Sequence, residues 1–305
     1  MTTRNELSLH EAAATTGVTI ADRRLPVSRY ADVGIRLHYL DWGSEDRPWL
    51  LCLHGAAQNA HMWDFTALAL CTRYRVIALD QRGHGDSAWA PNGEYDRTSY
   101  VRDVGNFVDH LGMEKLVLVG LSMGGSNSVA YAATHPDRVK ALVVVDVGPE
   151  PARGGGRAVD NFVTQRDVLD TYEEFVQRVI GYSPFRPEWQ IRSSLRHSLM
   201  QRPDGRWTWK YDPVLRDPAR RARRQSTQED SASRWELWER ISCPTLIVRG
   251  EQSDVLSSEV AERMLERNGN SRLVEVPNAG HRVPGDNPVA FEQAVRAFLD
   301  DVDIP

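Results

Sequence analysis

The sequence predicts an α/β fold, in which helices cover both faces of a mostly parallel β-sheet. Short apolar runs alternate with longer helical patterns along the 305 residues, which is typical of strands joined through helices. Most of the apolar runs show little alternation, as expected for strands buried on both faces. The length suits one large domain that carries an insertion.

The predicted elements follow one another in a regular order. The segment Val33–Trp42 alternates between apolar and polar residues, which suits an antiparallel hairpin at one edge of the sheet. Six strands rich in Val, Ile and Leu are then predicted at Trp49–Leu53, Arg75–Leu79, Lys115–Val119, Ala141–Val145, Thr245–Val248 and Leu273–Val276. Helices are predicted between them at Thr98–Leu111, Met123–His135, Ser257–Asn268 and Pro288–Asp300.

The alternation of strands and helices breaks between about Pro149 and Ser242. The stretch from Glu150 to Arg240 contains 17 basic and 14 acidic residues, whereas the whole chain has a net charge of −5, and it holds five of the nine tryptophans. This change predicts an inserted helical cap at residues 149–242 on a core formed by 26–148 and 243–305. Residues 1–25 are assigned to an N-terminal arm; within it, Met1 to Ile20 have weak periodicity, and we expect them to form a mobile arm or a surface clasp.

Composition excludes several classes of protein. A net charge of −5 argues against binding to the nucleic-acid backbone, which requires a basic excess. The three cysteines, Cys52, Cys71 and Cys243, form neither a disulfide framework nor a zinc-binding spacing, which favours a reducing compartment. No signal peptide and no apolar run of about 18 residues is recognisable. We therefore expect a cytoplasmic protein without nucleic-acid or membrane partners, and its oligomeric state is left open.

The strongest chemical signal is the motif Gly120-Leu121-Ser122-Met123-Gly124. A predicted strand ends just before it and a predicted helix follows it. Such a strand-to-helix elbow holds a serine in a tight turn with its hydroxyl exposed above the sheet. The positive end of the following helix favours negative charge developing at this place. These features make Ser122 the candidate nucleophile.

A serine hydroxyl needs a base, and the base needs an acid that orients it. His281 follows the last predicted strand, so it reaches the same sheet edge as Ser122 and is the candidate base, with His84 as its rival. Asp254 follows the strand Thr245–Val248 at that edge and is the preferred acid. Glu251 and Asp146 are the alternatives, the latter at the end of the strand Ala141–Val145.

Two further groups of residues complete the predicted site. The Met123 N–H and the Ala56 N–H, with Ala57 as the alternative to Ala56, are the candidate donors for an oxyanion. Trp207 and Trp209 of the cap are predicted to form the wall of a substrate pocket. Both rings would point the same way on an extended segment; the alternative is that they only pack the core of the cap.

Together, these motifs resemble the α/β-hydrolase fold family. The match runs from about Val27 to Leu299 and rests on His54-Gly55, the segment Asp80 to Ser87 (DQRGHGDS), the segment Gly120 to Gly125 (GLSMGG), Asp254 and His281, in the family's order. The resemblance implies an eight-stranded sheet. A serine at position 122 differs from the aspartate of haloalkane dehalogenases and epoxide hydrolases. Leu121 is similar to the residue that enol-lactone hydrolases and small carboxylesterases carry, where carbon–carbon bond hydrolases more often have Asn.

The sequence thus predicts a serine hydrolase that acts on a small-molecule ester or lactone. Because the triad itself generates the nucleophile, we expect neither a metal nor an organic cofactor. The alternatives are a carbon–carbon bond hydrolase or perhydrolase that uses the same triad and, outside enzymes, a ligand receptor on this fold.

Overall fold

The computed structural model describes residues 7–152, 156–217 and 231–302. Its strands are β1 (Val27–Asp32), β2 (Arg36–Asp41), β3 (Trp49–Leu53), β4 (Arg75–Leu79), β5 (Leu116–Leu121), β6 (Val139–Val145), β7 (Val168–Leu169), β8 (Leu199–Gln201), β9 (Trp207–Trp209), β10 (Thr245–Gly250) and β11 (Ser271–Val276).

The described helices are α1 (Leu9–Thr16), α2 (Asp64–Leu70), α3 (Arg97–His110), α4 (Met123–Thr134), α5 (Arg157–Val163), α6 (Tyr172–Tyr182), α7 (Glu188–Ser198), α8 (Ser231–Glu239), α9 (Ser258–Arg267), α10 (Val283–Asp286) and α11 (Pro288–Asp301). Two 3₁₀ turns, η1 (Ala60–Trp63) and η2 (Pro213–Arg216), accompany them. In the part of the chain described, no helix combines the length and apolar character that crossing a bilayer requires.

Eight strands form the main sheet in the order β1-β2-β4-β3-β5-β6-β10-β11. β1 and β2 form an antiparallel hairpin, of which β2 lies in the predicted segment Val33–Trp42 and β1 precedes it. β2 pairs antiparallel with β4, whereas the pairs from β4 to β11 are parallel. Nearly every residue of β3, β4, β5 and β6 is buried, which explains their unbroken apolar runs. The predicted α/β fold with a mostly parallel sheet is confirmed.

The core has one apolar layer on each face of the sheet. Successive residues of β3 alternate between the layers: Leu50 and Cys52 face one cluster, Leu51 and Leu53 the other. The first layer is completed by α2 and α11, and the second by α3, α4, α8 and α9. Parallel packing of this kind brings the carboxyl ends of the central strands to one edge, where the loops that carry the candidate site emerge.

The structure corrects the boundary of the cap. Trp235 and Trp238 of α8 are buried in the second core layer, and the Trp238 indole N–H donates to the Met264 carbonyl at 2.8 Å. The segment 231–242 therefore belongs to the core, although its tryptophans were counted as part of the cap. Apolar content alone does not reveal which core a helix joins.

The cap is also not purely helical. Helices α5 to α7 accompany a three-stranded antiparallel sheet in the order β7-β9-β8. The cap has its own apolar cluster, which includes Phe175, Ile191 and Trp209. Its strands are two or three residues long, too short to produce a periodic pattern in the sequence.

Residues 8–21 pack on the core, as the predicted alternative of a surface clasp requires. Ser8 caps α1 in a capping box with Glu11. Ala13 and Val18 are buried in the first core layer. The Ala21 N–H donates to the Leu68 carbonyl at 3.0 Å, so residues 8–21 lie as a clasp over α2. The buried residues of α1 include Ala12 and Ala13, which are small, so the apolar periodicity of this helix is weak in the sequence.

Candidate active site

Ser122 occupies the turn between β5 and α4. Its φ of 53° and ψ of −114° are a strained combination for a residue with a side chain. The turn is possible because of its glycines: a Cβ on Gly120 would collide with the Gly124 carbonyl, and a Cβ on Gly124 would collide with the Leu53 carbonyl. The predicted strand-to-helix elbow is therefore present, with Ser122 at its apex.

The loop after β11 brings His281 to this serine. His281 Nε2 lies 3.0 Å from Ser122 Oγ. His84, the alternative base, has its Nδ1 2.9 Å from the Arg82 carbonyl and its ring centroid 5.1 Å from that of His54. The structure thus brings Ser122 and His281 together, although 159 positions separate them in the chain.

The acid that contacts His281 is Asp146, and the preference for Asp254 is wrong. Asp146 Oδ2 lies 2.7 Å from His281 Nδ1, and Asp146 is fully buried. Asp254 is exposed, and its backbone carbonyl accepts from the Gly156 N–H. Because an ionised carboxylate only accepts, this contact places the ring proton on Nδ1 and leaves Nε2 to accept from Ser122.

Local pairing explains why Asp146 takes this position. β6 and β10 are parallel neighbours, so the residues that follow both strands reach the same edge of the sheet. Asp146 turns inward with a φ of 50°. Its carboxylate then accepts from the Gly250 N–H at 3.1 Å and from the Ser253 hydroxyl at 2.5 Å. The last residue of β10 and the loop that follows it thus supply donors to the acid instead of the acid itself.

The loop after β3 is held next to the elbow. His54 Nε2 accepts from the Gln81 N–H at 3.0 Å, so its Nδ1 donates to the Gly55 carbonyl at 2.8 Å. Burial lowers the pKa of His54, which keeps it neutral in this role. A Cβ on Gly55 would lie 3.4 Å from the Ser122 Cβ. Ala56, which follows Gly55, is therefore close to the serine.

Met123 is the first residue of α4, where the backbone N–H has no acceptor within the helix. Its N–H is therefore available as a donor at the residue that directly follows Ser122. Ala57, in the loop after β3, has a φ of 60°, so its backbone has a left-handed conformation. Ala56 and Met123 therefore remain the two candidate donors for an oxyanion.

Among the described residues, His38, Asp80 and Asp86 form the one acidic and histidine cluster with possible metal-ligand spacing. Asp80 accepts from His38 Nδ1 at 2.7 Å, from the Asp86 N–H at 2.9 Å and from the Ala60 N–H at 2.6 Å. Asp86 forms an ion pair with Lys210. The oxygen and nitrogen atoms that could bind a metal are therefore engaged in these contacts, which hold the loop after β4 and join it to Lys210 of the cap.

A cavity of about 130 Å³ lies between the loop after β3, the helix α7 and the residues that follow His281. Trp209, one of the two predicted wall residues, borders this cavity. Trp207 does not; its ring packs edge-on against Tyr172, with centroids 5.4 Å apart. Two arginines that the sequence analysis did not single out, Arg186 and Arg282, also border the cavity; Arg282 could have been noticed because it directly follows His281.

Two histidines join core and cap at this cavity. The rings of His61 and His197 stack with centroids 3.5 Å apart. Burial lowers the pKa of His61, but the nearby Asp64 carboxylate outweighs burial and raises it. Burial, followed by the positive charge of His61, lowers the pKa of His197 to about 4.

We expect His197 to make the protein less stable as the pH falls from about 6.5 towards 4. Over this range the unfolded chain takes up a proton that folded His197 cannot, which lowers the free energy of unfolding by up to about 1.4 kcal/mol per pH unit. Thermal melting against pH should therefore show a shallower decline for His197→Asn than for the wild type. His110→Asn, at an exposed position, is the control, and equal slopes for all three proteins would contradict the prediction.

Comparisons with known proteins agree with this arrangement. Residues 48–288 match the model of the α/β-hydrolase fold. The chain is 32% identical over 271 residues to a 3-hydroxybutyrate-oligomer hydrolase of Cupriavidus necator, covering 86% of this chain and 92% of the relative. It is 30% identical over 280 residues to a 2-(acetamidomethylene)succinate hydrolase of Mesorhizobium japonicum, covering 90% and 95%.

Solved structures are similar over the same extent. The crystal structure of an E-2-(acetamidomethylene)succinate hydrolase superimposes with a TM-score of 0.79 at 27% identity, covering 90% of this chain and all of that one. An esterase of Mycobacterium tuberculosis superimposes with a TM-score of 0.76 at 28% identity, covering 96% of each chain. On this combined evidence, the chain belongs to the α/β-hydrolase fold family.

Proposed function

We propose that this hydrolase is a serine hydrolase that cleaves a small carboxylic ester or lactone through an acyl-enzyme intermediate. The observation that carries the proposal is the hydrogen-bonded series from Ser122 Oγ to His281 and on to buried Asp146. The relatives support it, since hydrolases and an esterase are among them. The strained elbow of Ser122 is the placement that a nucleophile requires.

In the proposed reaction, His281 Nε2 removes the Ser122 hydroxyl proton as the oxygen attacks the substrate carbonyl. Asp146 holds the imidazole in the productive tautomer and stabilises the imidazolium that forms. The N–H groups of Met123 and Ala56 donate to the oxyanion. His281 then protonates the leaving alcohol, and a water molecule, activated by the same imidazole, hydrolyses the acyl-enzyme to release the acid and regenerate Ser122.

This chemistry requires neither a metal nor an organic cofactor, because the triad generates the nucleophile. The substrate is the one partner that the mechanism needs. The cysteines Cys52, Cys71 and Cys243 are free and buried, in keeping with a reducing, cytoplasmic location for the enzyme.

A fluorophosphonate probe tests the proposal directly, because it reacts with an activated serine. We expect stoichiometric labelling of the wild type at Ser122, mapped by peptide mass spectrometry, and none of Ser122→Ala. Slow or absent labelling of a folded wild type would favour a ligand receptor over an enzyme. A panel of p-nitrophenyl esters, lactones and vinylogous diketones then separates ester and lactone hydrolysis from carbon–carbon bond cleavage.

The two cap tryptophans provide a matched test of substrate binding. Trp209 borders the cavity, whereas Trp207 contacts Tyr172 away from it. Trp209→Ala is expected to change kcat/KM unequally across p-nitrophenyl esters of increasing acyl length, by up to about 10- to 200-fold. Trp207→Ala should lower all values alike and reduce the melting temperature. A uniform loss for Trp209→Ala would assign Trp209 to packing alone.

A further inference from the structure

The cavity beside the His281 loop contains two guanidinium groups. Arg186 precedes α7, and Arg282 directly follows His281, so both approach the cavity near the base of the triad. The opposite wall contains Ala57 and Gln58 of the loop that flanks Ser122. Ser122 and His281 do not line the cavity themselves; it adjoins the candidate triad through these neighbours of the elbow loop and through Arg282.

Both arginines have buried donor atoms that lack an acceptor. Among the described residues, Arg186 Nε and Arg282 Nη2 are inaccessible to solvent and make no hydrogen bond. Arg186 makes one side-chain contact of hydrogen-bond length, from Nη2 to the Gln190 carbonyl at 3.4 Å, and the Arg282 guanidinium lies 4.7 Å from the centre of the Tyr182 ring. Buried donors without a partner are unfavourable, so an acceptor bound at this end of the cavity would stabilise both guanidinium groups.

Positive charge is also in excess there. Asp286 is the carboxylate whose negative charge interacts with both arginines. Its Oδ2 accepts a hydrogen bond from the Gly280 N–H at 3.1 Å. Burial raises the pKa of Asp286, and this one carboxylate faces two guanidinium groups. Burial and then the charge of Arg282 lower the pKa of Arg186 to about 9. Asp64, at the other end of the cavity, is paired with His61.

We propose that Arg186 and Arg282 bind a free carboxylate of the substrate, so that the ester or lactone cleaved is one that also carries a carboxylic acid. A carboxylate offers the lone pairs that the two planar guanidinium groups lack, and it compensates their charge. The cavity of about 130 Å³ has room for a short chain of a few carbon atoms. The inference rests on the proposed function and narrows its substrate class.

Two pairs of esters test the proposal, each comparing a carboxylate with its uncharged amide of equal size. Mono-p-nitrophenyl glutarate and p-nitrophenyl 4-carbamoylbutanoate place the charge in the acyl part. 3-Acetoxypropanoate and 3-acetoxypropanamide place it in the alcohol part. We expect wild-type kcat/KM to favour the carboxylate by about 10- to 100-fold in at least one pair, the range expected for a hydrogen bond to a charged group.

The variants Arg186→Gln and Arg282→Gln should each reduce that preference towards unity. Arg186→Lys, which keeps the charge without the planar fork, should retain part of it. Arg196→Gln is the control, because Arg196 is exposed on α7 and does not border the cavity. Melting temperatures and fluorophosphonate labelling of every variant identify any that is misfolded.

Binding without turnover provides a second measurement. Glutarate titrated into Ser122→Ala should bind more tightly than glutaramide, and adding Arg186→Gln should remove the difference. Equal kcat/KM within both wild-type pairs, or equal losses for both members of a pair in the arginine variants, would overturn the carboxylate site. If the amides are turned over and Ser122 is labelled, the protein is still a serine hydrolase. If there is neither labelling nor turnover, that function is refuted, and the glutarate titration alone then tests the carboxylate site.

Discussion

Replacing Ser122 by alanine is expected to reduce kcat by about 10⁶-fold while the protein remains folded, because the members of a triad act as a unit. His281→Ala should cause a similar loss, since the serine then has no base. The measurement is steady-state hydrolysis of a p-nitrophenyl ester, with circular dichroism to verify the fold. Ser258→Ala, an exposed serine at the start of α9, is the matched control and should retain wild-type turnover.

The assignment of the base depends on the His281 result. If His281→Ala retained more than about a tenth of the wild-type kcat, the general base would be another residue. His84 would then be examined next, although its Nδ1 contacts the Arg82 carbonyl.

The second large effect concerns the acid. Asp146→Asn is expected to lower kcat by about 10⁴-fold, because an amide NH₂ in this place stabilises the tautomer with its proton on Nε2, which cannot accept from Ser122. Asp254→Asn should stay within about threefold of the wild type, since Asp254 is exposed and His281 Nδ1 contacts Asp146.

Initial rates of the two variants, measured over the same series of substrate concentrations, give kcat and KM for each. Loss of kcat in Asp146→Asn with KM preserved would agree with the orienting role. A larger loss of kcat in Asp254→Asn than in Asp146→Asn would contradict the assignment of Asp146 as the acid that orients His281.

The sequence alone determined the sheet and the nucleophile, because both depend on local patterns. Unbroken apolar runs are a direct consequence of burial on both faces of a strand. The elbow at Ser122 requires glycine at positions close in the chain, where a Cβ would strike neighbouring backbone. His281 was predictable for a similar reason, since the carboxyl ends of parallel strands reach one edge.

Only the tertiary structure distinguished residues and helices whose local sequence patterns are equivalent. Asp146 and Asp254 follow neighbouring parallel strands, so the sequence places both at the edge; the inward turn at Asp146 and the donors Gly250 and Ser253 select one. The same holds for α8, whose tryptophans pack in the core, and for α1, whose small residues lie against it. Burial against a distant surface depends on packing between elements, and no short stretch of sequence carries that information.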